Sequence, residues 1–522
     1  MPQNTGWENL KLADESFLIK RFSYKLFTNI VSLAINLITF SIIPRGLGPK
    51  AFGDFNFLTG FFTQVVNFFD MGTSICFYTK LSQRQKDSGL VSFYFRFVLT
   101  VFSLTLALVY LTHLTPASAK IWPDQKFIFI FLASLWAALS WVLQIINQMN
   151  DAHGLTVTSE KARIIQKFLG LGIICLMYVF GQINLFNFFC YHYFLFFLLG
   201  GCLIWISQQK VSPLKYIPHS SLNSTKEYLK EFYHFSHPLF FYTLAGLVTA
   251  LFDRWLLQVY GGSIQQGFLG LSNQVGAFCF LFTSAMTPLL TREFSISFAN
   301  KNLAEMAHLF QRYIPVFYFI AAFFSCFISV QAGKVTYFVG GTGYQNAVIP
   351  VAIMAFYPIH QTYGQLSGSV FYASGQTKLY RNIGTVFMLA GIPVTYFLIA
   401  PAQKMGLNAG AAGLALKMVL LQFFAVNVQL YFNTRLLKIS LGHFFKHQLF
   451  SAGCLIILAL AATMAVDRGL GLKEHVILSF LLSGFFYFVA VAAVIYFFPY
   501  IAGFNRQDVL YILKYLFRKE EL

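Results

Sequence analysis

The chain has 522 residues, 57% of them hydrophobic and only 11% charged, with 63 phenylalanines and a mean hydropathy of +0.62. That composition excludes a soluble domain, and it requires the formal charge of +18 to be weighed by loop before any nucleic-acid reading. A helix needs about 20 apolar residues to cross a hydrocarbon core of roughly 30 Å, and runs near that length recur from Ser23 almost to the C-terminus.

The expected fold class is all-α, a polytopic membrane protein. Fourteen spans are predicted, at 23–43, 54–77, 91–112, 127–149, 164–180, 185–206, 236–259, 268–290, 313–331, 347–372, 383–400, 409–432, 449–466 and 476–498. The first apolar run follows about twenty polar residues without a small-residue cleavage site, so it reads as a retained helix. All seven cysteines (Cys76, Cys175, Cys190, Cys202, Cys279, Cys326, Cys454) fall in or at the end of apolar runs without metal-ligand spacing, and are expected as small buried hydrophobes.

With an inner N-terminus, the tails and even-numbered connections hold 26 of the 37 Lys and Arg, while the opposite loops hold 8. Both termini are therefore predicted to be cytoplasmic. The excess charge is topological, and nucleic acid is not an expected partner.

The first outer break, "IIPRGLGPKAFGDFNFL" from Ile42, carries Gly48 and Gly53 before the second span. Gly262 and Gly267 repeat that spacing before the eighth span, at an offset of 214. "NDAHGLT" from Asn150 and "FYASGQT" from Phe371 close the fourth and tenth spans at an offset of 221. Two markers in the same order point to a duplicated six-helix unit in parallel orientation, spans 1–6 and 7–12. The expected organisation is an N-lobe over 1–207, a cytoplasmic linker over 208–235 and a C-lobe over 236–433. Two extra helices follow over 434–503, and an amphipathic cytoplasmic tail over 504–522.

Polar residues inside the spans carry the functional signal. Span 1 carries Asn29, Ser32, Asn36 and Thr39 on one face. Span 2 does so more strongly, with Asn56, Gly60, Thr63, Asn67, Asp70 and Ser74. Such stripes line cavities or pack helices together. Asp70 sits near the inner end of span 2, where it is a helix-end aspartate, an ion site or a gate partner. Asp253 and Arg254 lie in the outer half of span 7, and Lys417 lies near mid-membrane in span 12. There a cation costs at least about 2.5–3.5 kcal/mol unless paired or wetted.

The stretches "PRGLGPKAFGDF" (44–55), "FFDMGTS" (68–74), "LFDRWLLQVYGGSIQQGFLGLSNQVG" (251–276), "GGTGYQNAVIPVAIMAF" (340–356), "YASGQTKLYRN" (372–382) and "GAAGLAL" (410–416) span both lobes. Through them the chain resembles the multidrug, oligosaccharidyl-lipid and polysaccharide exporter superfamily, in the polysaccharide transporter branch that includes O-antigen flippases. The resemblance implies two six-helix lobes around a central cavity lined by spans 1, 2, 7 and 8, with lipid-linked oligosaccharide as cargo. The two added helices and Lys417 depart from the pattern.

The function expected is a flippase rather than an enzyme. It would move polyprenyl-diphosphate-linked oligosaccharide, an O-antigen, lipopolysaccharide or exopolysaccharide repeat, from the inner to the outer leaflet of a bacterial inner membrane. Lys417 and Arg254 would meet the diphosphate, and Asn29, Asn36 and Asn67 the sugars. H+ or Na+ would couple through Asp70 or Asp253, with no cofactor or metal. No G-x-x-x-x-G-K-[ST] loop supports direct ATP use. Expected partners are the cargo, membrane lipids, a polysaccharide polymerase and assembly proteins. The alternatives are a cation-coupled multidrug antiporter, which mid-membrane Lys417 disfavours, and a membrane-embedded glycan polymerase or acyltransferase. The longest connection, 207–235, offers that last reading no acid–base pair.

Overall fold

The computed structural model describes residues 5–210, 222–279 and 287–507, with side chains described at most positions from Phe27 onward. Among these residues the structure is all-helical, with no strand. Ten helices among them are long and apolar enough to cross a membrane by length and composition. The protein is thus a multi-pass membrane protein, although the expected count of fourteen is not reached by that measure. Helices merge across glycines at some expected boundaries and break inside expected spans at others. Two compact units emerge, Met1–Gln258 and Val259–Leu522.

In the first unit, α1 (Thr5–Asp70) joins two helical segments across Gly48 and carries Pro44 and Pro49. Proline lacks the N–H that would continue the ladder, so the break falls there. The expected second span, 54–77, breaks as well: α1 ends at Asp70, and α2 (Thr73–Gln83) starts after Gly72, whose φ is 81°. Then come α3 (Ser88–His113), α4 (Ala117–Ile121), α5 (Phe127–Ala152), α6 (Thr156–Val179), α7 (Leu185–Lys210) and α8 (Leu222–Ser236). α5 is central, touching α1, α3 and α7, and α6 lies along α1. Aromatic residues dominate both ends of this core, with Phe57, Phe62, Trp122 and Phe189 in one cluster and Phe77, Tyr94, Trp141 and Phe232 in another.

The described half of the expected linker is α8, which docks on α2 and α3. Arg84 Nη2 donates to Glu231 Oε1 at 2.7 Å and Tyr228 OH to Asp87 Oδ1 at 2.7 Å, while the ring of Phe232 stacks on Tyr94. Beyond it, α9 (Phe240–Cys279) contains the unit boundary and a break at Gly262.

The second unit continues with α10 (Thr287–Ala299), α11 (Leu303–Val330), α12 (Ala332–Gly340), α13 (Val348–Met354), α14 (Tyr357–Ala373), α15 (Thr377–Ile399), α16 (Gly410–Leu437), α17 (Leu441–Met464) and α18 (Val476–Phe497). The expected tenth span is broken between α13 and α14, where Pro358 sits in the first turn of the second helix. The two extra C-terminal helices are integral to this unit. α17 lies along α11, and Phe444, Leu455, Ala459 and Tyr487 share one core with Phe310, Tyr318 and Ala322. Tyr487 OH donates to the Phe323 carbonyl at 3.0 Å. A partly buried ion pair closes one end, with Lys334 Nζ 2.8 Å from Asp467 Oδ1 and 2.6 Å from Ser479 Oγ.

The repetition seen in the sequence recurs in the backbone. Gly48 has φ 71° and ψ 169°, and Gly262 has φ 67° and ψ −174°. That region of conformational space is essentially closed to residues with a Cβ. The second marker matches bond for bond. Leu155 N donates to Asn150 O at 2.8 Å, and Gln376 N to Phe371 O at 2.9 Å, each across a left-handed glycine, Gly154 or Gly375.

The expected amphipathic tail from Phe504 lies, beyond Gln507, outside the described residues.

Candidate functional site

The polar stripe of α1 is open at Gly60 and Asn67. A Cβ built on Gly60 would meet nothing within 4 Å, and Asn67 is exposed. Asn56 and Thr63 turn their donors back onto their own helix, to Phe52 O at 2.7 Å and Thr59 O at 2.7 Å. Their remaining acceptor capacity stays available.

Asn36 is exposed and its Oδ1 accepts from Lys167 Nζ at 3.3 Å. The side chain of Asn29 lies outside the described residues. Lys167 belongs to a line of charges on α6. One turn before it, Arg163 donates from Nη1 to Glu160 Oε1 at 3.0 Å and from Nη2 to Asn147 Oδ1 on α5 at 2.8 Å. Glu160 is 1% exposed, so its charge is held in the interior by this pairing. Among the described residues no carboxylate pairs with Lys167, which leaves a cation whose contact is a neutral amide.

Sequence reading counted Arg163 and Lys167 with the inner cations, although the fifth span expected at 164–180 already contains Lys167 and leaves only Arg163 outside it. In the structure α6 starts at Thr156, which puts Lys167 eleven residues inside the helix, about 16 Å at 1.5 Å per residue. The signal was present. Glu160, Arg163 and Lys167 at i, i+3 and i+7 share one helical face, which a solvated loop has no reason to produce. The ninth span likewise starts early, at Leu303, where Asn302 Oδ1 accepts from Glu305 N at 2.9 Å.

Asp70 is heavily engaged. Its carboxylate accepts from Ser74 N at 2.8 Å, Ser74 Oγ at 2.8 Å, Thr73 Oγ1 at 2.9 Å and Tyr94 OH at 3.3 Å. These bonds cap α2 and join it to the end of α1. Asp253 and Arg254 are half-buried on α9. Their part of α9 is tied to the connection between α3 and α5, because Trp255 Nε1 donates to Lys120 O at 2.8 Å and Gln258 Nε2 to Pro123 O at 3.1 Å.

Lys417 lies in the second unit and is 5% exposed. It crosses from α16 onto α15 at a glycine: a Cβ on Gly391 would stand 2.8 Å from Lys417 Cε and 3.1 Å from its Nζ. The missing side chain at 391 is what gives the lysine its room. Each unit thus holds a cation of interest, Lys167 with Asn36 in the first and Lys417 in the second. Either could hold an anionic oxygen by charge-assisted hydrogen bonds.

His192 and His360, which lack ligand-like spacing in the sequence, pack among aromatic rings. His192 stacks on Phe55 at 5.2 Å and meets Phe188 edge-on at 4.7 Å, and His360 meets Phe423 at 5.1 Å.

Comparison with known proteins places these features in context. The polysaccharide biosynthesis protein family matches residues 18–292, more than half of the chain. No curated protein matches it. Among solved structures, the inward closed conformation of the lipid II flippase MurJ aligns with a TM-score of 0.60 at 15% identity, over 91% of this chain and 99% of that one. An outward-facing multidrug resistance MATE family transporter of the MOP superfamily aligns with a TM-score of 0.45 at 14% identity, over 80% and 93%. A MOP superfamily transporter from Pyrococcus furiosus gives 0.43 at 13% identity, over 80% and 93%. At these identities the MurJ likeness shows a shared fold.

Proposed function

This chain belongs to the polysaccharide biosynthesis protein family, and on that premise we propose that it is a flippase for polyprenyl-diphosphate-linked oligosaccharide. Family and fold together describe a transporter-type membrane protein and not an enzyme. The cargo would pass from the inner to the outer leaflet of a bacterial inner membrane by alternating access, with both termini cytoplasmic.

The observation that carries the reading is Lys167, a cation inside an apolar helix with an exposed amide, Asn36, as its contact. A cation drawn into a membrane-spanning helix is costly unless something compensates it. A diphosphate does so through charge-assisted hydrogen bonds, and a cationic drug does not. Asn36, Asn67 and the remaining α1 stripe would meet sugar hydroxyls. Arg254 and Lys417 would assist the diphosphate at later stages of the cycle. Ion coupling falls to Asp253 before Asp70, because the carboxylate of Asp70 is already occupied by four donors.

The test is reconstitution of the purified full chain in liposomes. Labelled polyprenyl-diphosphate oligosaccharide should equilibrate between leaflets, and a lipophilic cation should not be transported. The reverse pattern would favour a multidrug antiporter.

A further inference from the structure

At one end of the second unit lies a cavity of about 450 Å³, walled by the start of α11, the start of α17 and the turn Pro499–Ala502 after α18. Its sides carry His308, Arg312, Ser440, His443, His447 and Tyr500, and among the described residues no acidic side chain lines it. The charge distribution in the sequence assigns all three segments to the same, cytoplasmic, side. Gly503 closes the wall against Pro315: a Cβ there would stand 2.7 Å from Pro315 Cβ and 2.9 Å from Val316 N.

The rim is exposed and the floor is not. His308, Arg312 and His443 are open to solvent, whereas His447 is 1% exposed. Among the described residues neither ring nitrogen of His447 has a hydrogen-bond partner of regular geometry, the Ile501 backbone being its polar neighbour. Tyr318 and Tyr500 pack edge-on to the ring, each with centroids 5.8 Å away. A buried polar group left without a partner is destabilising, so a ligand in the cavity would relieve a standing penalty.

A second feature points the same way. α17 is a 24-residue helix that starts at Leu441, and its N-cap, Ser440, makes no side-chain capping bond. First-turn N–H groups and the positive end of the helix dipole therefore border the cavity. Three imidazoles could suggest a metal, but no group of three or more candidate ligands is arranged to hold one among the described residues.

We propose that this cavity binds a phosphate group, carried by a membrane lipid headgroup or present as soluble phosphate, between Arg312, the His308, His443 and His447 imidazoles and the start of α17. The chemistry is that of a helix N-terminus reinforced by a guanidinium and imidazole donors. Neither Lys167 nor Lys417 lines the cavity, and the proposal does not depend on their role.

The full chain, purified in a neutral detergent, is titrated separately with inorganic phosphate, dihexanoyl phosphatidic acid and dihexanoyl phosphatidylcholine. Saturable binding and a raised unfolding midpoint are followed. Binding of phosphatidic acid but not inorganic phosphate identifies a headgroup site; binding of both shows that the phosphate alone suffices. In either case Arg312→Gln and His443→Gln, both on the exposed rim, should each weaken binding by about tenfold or more. No saturable binding of either anion, or binding that both variants leave unchanged, would overturn the proposal.

Discussion

Lys167 on α6 donates to Asn36 on α1 across 3.3 Å, joining a cation that no carboxylate pairs among the described residues to the polar stripe that the sequence displays. α6 lies along α1 in the first unit, so this bond sits where two helices already pack. It links the fold to the function, because the residue that α1 offers to solvent is the one that orients the ammonium. The other engineered-looking contacts of the molecule, in the second unit and at the end of α1, lead to separate expectations.

Gly391 and Lys417 should behave as one unit. Gly391→Val would push branched carbons into the space of Lys417 Cε and Nζ, and is expected to lower the unfolding midpoint and transport together. Truncating the lysine in the double variant Gly391→Val/Lys417→Ala vacates that space. A coupling of about 0.5–3 kcal/mol should appear in the double-mutant cycle. Additive losses would show that the two side chains do not compete.

The Lys334–Asp467 pair fixes the C-terminal helices to α12, with the two side chains 14% and 19% exposed. Asp467→Asn or Lys334→Met alone should destabilise the purified protein by about 2–4 kcal/mol, less than a fully dry pair because water reaches both groups. Lys334→Met/Asp467→Leu should recover part of that loss. Thermal unfolding in detergent reads all three, and a double variant worse than either single one would refute the pairing argument.

Asp70 separates capping from ion coupling. Asp70→Asn keeps most of the cap, while Asp70→Ala should cost about 1 kcal/mol of stability or somewhat more. The geometry predicts that Asp70→Asn transports at close to the wild-type rate across the working pH range. Loss of transport in stably folded Asp70→Asn would make this carboxylate a proton or cation site after all.

Sidedness is tested by single cysteines at Lys301 and Lys473, both on exposed connections. Lys301→Cys should react with an impermeant maleimide only after the cells are opened, and Lys473→Cys should react from outside. The opposite pattern would invert the proposed direction of transport.

The helical class and the membrane setting were legible in the sequence, because apolar runs leave one-dimensional traces, and so were the paired turn glycines. Gly48 and Gly262 share a conformation that only glycine tolerates, so their spacing survived as a visible marker. Charges inside helices were harder to read. Arg163 looks like a loop residue to a hydropathy window, and only the observed start of α6 at Thr156 brings it into the helix, while Lys167 lay inside the expected span but was counted with the inner cations. Lys417 was visible as a mid-membrane cation, but its seat on Gly391 comes from a neighbouring helix. The Lys334–Asp467 and His447 environments join segments more than a hundred or some fifty residues apart, and no local pattern announces them.

The central claim is that Lys167 meets the diphosphate of a lipid-linked cargo. The direct measurement is outer-leaflet lipid-linked oligosaccharide per inserted molecule, for wild type, Lys167→Ala and Lys167→Arg. Removing a charge-assisted hydrogen bond worth about 1.5–3 kcal/mol should cut transport by roughly tenfold or more in Lys167→Ala at normal abundance, with partial function kept in Lys167→Arg. Undiminished transport per molecule in Lys167→Ala would contradict the account.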